Sequence, residues 1–172
     1  MRRLSIAFVM TALLAASATA ETFKDWQVSC DMSHQCRAVG LAARDPDAKG
    51  YLSIHRRPDI SAPVEVRFSV ADPNGTLAGR PYVLLADGKP IDHLLGPITL
   101  SDPEEEGGLV EATLAADATS PLSEALRRYH SLQLQAADGS LAVNVSLTGA
   151  AAAWLYMDDR LGKNTPPAEP AT

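Results

Sequence analysis

Two neighbouring carboxylates near the end of the sequence are the residues best able to do acid–base chemistry. Asp158 and Asp159 fall in the last turn of a predicted helix and are followed directly by Arg160. Acidic side chains at that end oppose the helix dipole by about 0.3–1 kcal/mol, so a cation or a ligand should offset them. Paired carboxylates catalyse hydrolysis when they face each other across a substrate, which neighbours on one helix do not do. A structural salt bridge or cap is therefore favoured over a binding role.

A short basic run is the second feature with chemical potential. His55, Arg56 and Arg57 precede Pro58 in a chain that has 15 Lys and Arg side chains against 21 Asp and Glu. We favour ion pairs with the two helix aspartates or with the acidic run 104–106. The alternative is a patch that binds an anion or a partner. The candidate binding or ion-pair patch comprises His55, Arg56, Arg57, Asp158, Asp159 and Arg160.

The remaining residues predict no catalytic, metal or cofactor site. No two histidines have a paired spacing, and a zinc signature is absent. The acidic run 104–106 lacks the alternating ligand positions of a calcium loop, so we interpret it as a solvated loop. The sequence has no G-x-S-x-G motif, phosphate-binding glycine loop or dinucleotide motif. The four histidines are His34, His55, His93 and His130.

The two cysteines predict one structural disulfide. Cys30 and Cys36 are separated by five turn-forming residues. The first 20 residues resemble a secretory signal peptide, and an even cysteine count in an exported chain is typical of disulfide pairing. A redox or metal pair is the alternative, but the spacing is not C-x-x-C. Closing so short a loop stabilises the fold by only about 2 kcal/mol. The bond should therefore hold a hairpin in register rather than hold the whole domain together.

The N-terminal segment has the three parts of a secretory signal peptide. Residues 1–3 are basic at two positions, residues 4–15 are almost continuously apolar, and residues 18–20 form an A-x-A cleavage site. The apolar run is too short to cross a bilayer, which takes about 20 helical residues. We expect cleavage after Ala20, a periplasmic location and no membrane span in the mature chain.

Removal of the signal peptide leaves 152 residues with 13 basic and 21 acidic side chains, a net charge of −8. This length suits a single domain with its own core. An acidic surface disfavours nucleic acid and anionic membranes as partners. We expect a single domain over residues 21–162 and a Pro-rich flexible tail over residues 163–172.

Alternating apolar residues predict a chain made mainly of short strands. Clear turn formers separate several of them, including Asp72–Gly75, Asp87-Gly88 and Asp138-Gly139. The predicted strands are 23–30, a strand beginning at Cys36, 51–57, 64–70, 82–86, 97–101, 109–114, 132–136 and 141–147.

Two segments instead have helical spacing. Ser120 can cap the first helix, and Leu122, Ala125, Leu126 and Tyr129 share one face of it. The second covers residues 150–161, with an apolar face and Gly162 as its C-cap. The predicted fold is mainly β (α+β): an antiparallel β-sandwich or barrel-like sheet with two short helices and one disulfide-clipped hairpin.

Two segments carry a recognisable pattern, the first with Trp26, Cys30, Asp31, Cys36 and Ala38 and the second running from Ser146 to Asp159. They resemble the motifs of an exported family of Gram-negative bacteria, domain of unknown function 1176. The family opens with W-x-x-x-C-D…C-x-A and later has S-L-x-G-A…D-D-x-Q-G-R. Leu161 and Lys163 depart from the second motif, where glutamine and arginine are expected. The chain is more distantly similar to invasion-associated locus B proteins, which are small exported β-sandwiches. The matching residues are Trp26, Cys30, Asp31, Cys36, Ala38, Ser146, Leu147, Gly149, Ala150, Asp158 and Asp159, and Arg160 occupies the unspecified position that follows them.

This resemblance implies a periplasmic location and a β-rich fold, but no reaction. We therefore expect a non-enzymatic domain that binds a protein or another envelope component through its sheet. One alternative is an enzyme such as an envelope-polymer hydrolase that uses Asp158 and Asp159. Another is the N-terminal half of a two-domain envelope protein, since family members are often much longer.

Overall fold

Two antiparallel β-sheets and two helices make up the part of the chain that the structure, a computed structural model, describes: residues 19–42, 50–59, 62–91, 98–101, 109–114 and 119–162. In chain order the elements are β1 (Thr19–Phe23), β2 (Trp26–Cys30), β3 (Cys36–Leu41), β4 (Gly50–Arg56), β5 (Glu65–Ala71), β6 (Pro81–Ala86), β7 (Lys89–Pro90), β8 (Ile98–Thr99), β9 (Leu109–Leu114), α1 (Thr119–Arg128), β10 (Ser131–Ala136), β11 (Leu141–Ser146) and α2 (Ala150–Arg160).

The larger sheet has the strand order β1-β2-β3-β4-β5-β9, and the smaller has the order β11-β10-β6-β7, with β8 also paired to β6. Strand β11 packs against β3 and β4, and α2 packs against β1, β2 and β3. The two sheets are not closed into a barrel, so the fold is a sandwich whose second layer is extended by α2. The predicted fold class is confirmed.

Alternation along the strands buries one face of each sheet. In β5, Val66, Phe68 and Val70 are each no more than 1% exposed, and in β10 Leu132 and Leu134 are fully buried. Residues of period two on a strand point to the same side, so these side chains meet between the sheets. Helix α2 adds four buried side chains to this core: Ala150, Ala153, Trp154 and Met157.

The first predicted strand is in fact two strands joined by a tight turn. Strand β1 ends at Phe23, which pairs with Trp26 at the start of β2. The turn residue Lys24 has φ 55, and a two-residue hairpin turn needs such a positive φ. The prediction of one strand over residues 23–30 was wrong because Lys-Asp is not one of the residue pairs, such as Asn-Gly or Asp-Gly, that signal a two-residue hairpin turn. Pairing in β1 also begins at Thr19, two residues before the expected domain start.

The predicted Asp72–Gly75 turn is built around a buried carboxylate. Asp72 is 5% exposed and accepts hydrogen bonds from the backbone N–H groups of Thr76 at 2.8 Å, Leu77 at 2.7 Å and Ala78 at 3.3 Å. Burial raises the pKa of Asp72, but these hydrogen bonds together lower it by more, so the pKa lies below its ordinary value. The ionised carboxylate therefore stabilises the connection from β5 to β6.

The helices largely match their predicted faces. Leu122, Ala125 and Leu126 of α1 are buried, but Tyr129 lies beyond the helix end and is 40% exposed. That assignment was wrong because α1 ends at Arg128. Residue Gly162 follows α2 with φ 68, as its predicted C-cap role requires. The signal segment up to residue 18, His93, the acidic run 104–106 and the tail 163–172 lie outside the described residues.

Candidate functional site

A groove of about 540 Å³ lies at one end of the larger sheet. Because neighbouring strands run antiparallel, β2 and β4 end there while β3 and β5 begin there, and β9 also ends there. We name it the strand-end groove and define it by residues 29–31, 35–37, 55–57, 63–65, 113 and 114. Its volume falls in the range of about 300–1,000 Å³ that is usual for ligand sites.

The predicted disulfide forms one wall of this groove. Cys30 and Cys36 are directly paired residues of β2 and β3, and their sulfur atoms are 2.07 Å apart. The loop between them is organised by Asp31, whose Oδ1 accepts hydrogen bonds at 2.9 Å from the backbone N–H groups of Ser33 and Gln35. The disulfide is confirmed, and it fixes the end of the β2–β3 hairpin beside the groove.

Basic residues from two adjacent strands line the same groove. Arg37 of β3 pairs directly with His55 of β4, and Arg57 follows β4. Burial lowers the pKa of His55, and the nearby charges of Arg37, Arg67 and Arg57 lower it further, while Glu65 opposes them. The positive charge of the arginines therefore outweighs the negative charge of Glu65 around this histidine.

Arg56 turns to the opposite face of β4 and is paired inside the protein. Its guanidinium Nη2 lies 2.5 Å from Asp158 Oδ1, and the two side chains are 6% and 14% exposed. The same guanidinium carbon lies 4.5 Å from the ring centroid of Trp154, a cation–π arrangement. This arginine thus offsets the acidic charge near the end of α2 and links α2 to β4.

The other members of the candidate patch lie on both sides of this pair. His55 and Arg57 line the groove together with Arg56, whereas Asp159 is exposed on α2. Arg160 Nε donates a hydrogen bond to the Tyr156 hydroxyl at 3.0 Å, and the guanidinium covers that ring. Among the described residues, the candidate patch is therefore divided between the groove and α2, and the Arg56–Asp158 pair connects the two parts.

The structure contains a second polar cluster that was not predicted from the sequence. Asp87 accepts a hydrogen bond from the Ser131 hydroxyl at 3.2 Å and contacts His130 Nδ1 at 3.2 Å. These are the residue types of a hydrolase triad, but the serine bonds to the aspartate rather than to the histidine. The His130 side chain is 91% exposed, and Asp87 also accepts from both backbone N–H groups. The role of Asp87 is therefore structural: it accepts hydrogen bonds from the backbone N–H groups of the segment that connects α1 to β10.

The described residues contain no group of three or more His, Cys, Asp or Glu side chains that could hold a metal ion. In the same residues, no helix is both long enough and apolar enough to cross a membrane.

The two family-like segments meet at the end of the sheet opposite the groove. Trp26 Nε1 donates a hydrogen bond to the Ser146 carbonyl oxygen at 2.9 Å, and the Ser146 hydroxyl donates to Asp25 at 2.6 Å. Gly149 has φ 97, and a Cβ there would lie 1.9 Å from the Phe23 carbonyl oxygen. Trp26, Ser146 and Gly149 therefore have a structural role, because their contacts join the β1–β2 hairpin to the connection between β11 and α2.

Comparison with known proteins agrees with this architecture. A structure titled invasion-associated protein B from Bartonella henselae is similar with a TM-score of 0.55 and 19% sequence identity, over 86% of this chain and 100% of that one. At this identity the likeness concerns the fold alone. A search of curated proteins found no significant match. The family model described as "Protein of unknown function (DUF1176)" matches residues 20–165, and the chain therefore belongs to the DUF1176 family.

Proposed function

We propose that this protein is a non-enzymatic binding domain of the bacterial cell envelope and that its ligand or partner occupies the strand-end groove. The observation that carries the proposal is the groove itself. It is a ligand-sized concavity formed at the ends of adjacent strands, bounded by a disulfide and by basic side chains on and next to those strands. Functional sites built on strands are held more firmly than sites on loops.

Export to the periplasm is part of the proposal. The signal-like pattern of residues 1–20 and the disulfide both support it. Fractionation of a Gram-negative host, with mass spectrometry of the intact protein, tests it. We expect a periplasmic product that begins at Glu21, whereas a full-length cytoplasmic product would contradict export.

Binding is preferred to catalysis because the candidate acid–base residues do not converge. Asp158 is paired with Arg56, and Asp159 is exposed at the next position of the same helix. The Asp87 cluster lacks a serine-to-histidine hydrogen bond, which an activated serine nucleophile requires. These arrangements favour a protein that recognises its target without transforming it.

Capture of crosslinked partners from living cells tests the binding role. A tagged protein is crosslinked in the envelope, purified and analysed by mass spectrometry, together with two variants that conserve charge. Gln35→Trp places a bulky ring in the groove, and Gln27→Trp places the same ring at an exposed position of β2 outside it. We expect one dominant adduct that Gln35→Trp abolishes and Gln27→Trp retains. Equal capture by both variants, or no capture by folded exported protein, would overturn the proposal.

A further inference from the structure

Two basic side chains of the strand-end groove have no counter-ion among the described residues. The two acidic residues of the groove make other contacts: Asp31 accepts two backbone hydrogen bonds, and Glu65 pairs at 2.6 Å with Arg67, which also pairs with Glu111. Arg37 and Arg57 are exposed, and neither has an ion-pair or hydrogen-bond partner in the described part of the chain. The groove therefore has two free guanidinium groups in a chain whose net charge is −6.

We propose that the strand-end groove binds an oxyanion, a carboxylate or phosphate group of its ligand, between Arg37 and Arg57 and beside His55. Guanidinium groups match such anions because their N–H groups donate paired hydrogen bonds to two oxygens. This inference rests on the proposed binding function and specifies the chemistry of the ligand.

The setting of His55 supports the same conclusion. It lies directly opposite Arg37 in the β3–β4 register and is partly buried. An anion in the groove would offset the arginine charges that now disfavour its protonation. Ligand binding and proton binding by His55 should therefore reinforce each other, because coupling between two sites is reciprocal.

The size of the groove indicates that the anion is one part of a larger ligand. A volume of about 540 Å³ exceeds what a single phosphate or carboxylate fills. Beyond the arginines the lining is mixed. The disulfide, Pro63, Val64 and Leu114 are apolar, and the polar side chains are Ser29, Asp31, Gln35, Glu65 and Thr113. The site therefore suits a ligand whose anionic group is attached to a larger body with both apolar and polar parts.

Nuclear magnetic resonance of the histidine side chains tests the oxyanion site on the purified, disulfide-intact protein. Inorganic phosphate and acetate are titrated separately at constant ionic strength, and the His55 ring signals are followed. We expect a saturable shift of His55 and a rise in its pKa with at least one of the two anions. The anion that binds more tightly, phosphate or acetate, identifies the preferred oxyanion. The control is His130, which lies outside the groove and should not show a saturable shift.

Two matched double variants locate the effect. Arg37→Gln/Arg57→Gln removes both groove charges, and we expect at least about tenfold weaker binding. Arg127→Gln/Arg128→Gln removes the same charge from exposed positions of α1 that do not line the groove, and binding should be unchanged. All four arginines are exposed, so both variants should fold, which thermal melting checks.

Three results would overturn the oxyanion site: a shift that does not saturate, an equal effect on His130, or binding that survives Arg37→Gln/Arg57→Gln. The broader binding function is judged separately by the tryptophan variants. If the groove captures a partner that Gln35→Trp abolishes while neither anion binds, the oxyanion inference fails and the binding function stands. If phosphate or acetate binds but no partner is captured, the oxyanion site stands and the proposal of a captured partner fails.

Discussion

The buried ion pair between β4 and α2 gives the sharpest stability prediction. Replacing Asp158 with Asn keeps the shape of the side chain but leaves Arg56, which is 6% exposed, without its counter-charge. Removing one partner of a buried pair costs about 3–5 kcal/mol. Because Asp158 is itself 14% exposed, some solvent screening remains, and we expect a loss of about 3 kcal/mol, at the lower end of that range.

Asp159→Asn is the matched control, since it makes the same chemical change one residue further along α2 at an exposed position. It should alter the free energy of unfolding by less than about 0.5 kcal/mol. The double variant Arg56→Met/Asp158→Leu removes both charges and should be more stable than Asp158→Asn, because no unpaired charge stays buried.

Urea denaturation of the oxidised protein, followed by tryptophan fluorescence and circular dichroism, measures these differences. Coincident transitions by the two probes would justify a two-state treatment. If Asp158→Asn were as stable as Asp159→Asn, the ion pair would not hold α2 to the sheet. In that case the structural role assigned to Arg56 and Asp158 would be refuted.

Three further changes test other parts of the structure. Gly149→Ala should destabilise more than Gly139→Ala, measured by thermal melting, because both glycines have positive φ but only the first would press a Cβ against backbone. Asp72→Asn should make the free energy of unfolding fall less steeply as pH is lowered in the acid range, measured by urea denaturation at several pH values. The lowered pKa of Asp72 means that its stabilisation is present above the unfolded-state pKa and is lost as pH falls through the folded-state pKa. Cys30→Ser/Cys36→Ser should lower the free energy of unfolding by about 2 kcal/mol, and no change would contradict the role of the bond.

Local patterns in the sequence were sufficient to predict most of the fold. The strict alternation of Val66, Phe68 and Val70 predicts a strand because one face must be buried, and the structure buries all three. The Asp138-Gly139 turn likewise predicts the β10–β11 hairpin, which forms as expected. In both cases the signal and the structure lie within a few residues of each other.

The missed features depend on contacts between distant segments or on weak local signals. The pairing of Arg37 with His55 follows from strand register across a loop, which alternation within each strand does not specify. Asp87 and His130 are 43 residues apart in sequence. The Lys24 turn was missed because lysine rarely adopts positive φ. The candidate patch was therefore only partly predictable, because the contacts of each charged residue depend on which face of its strand or helix it occupies.

Site-specific photo-crosslinking in living Gram-negative cells tests the binding role of the strand-end groove most directly. A photoreactive amino acid is placed at Gln35 or Pro63, both exposed and lining the groove, or at Val83 or Leu155, both exposed elsewhere. We predict that the two groove positions give the same discrete adduct and that the two control positions do not. Adducts of equal yield from all four positions, or only from the controls, would contradict a binding site in the groove.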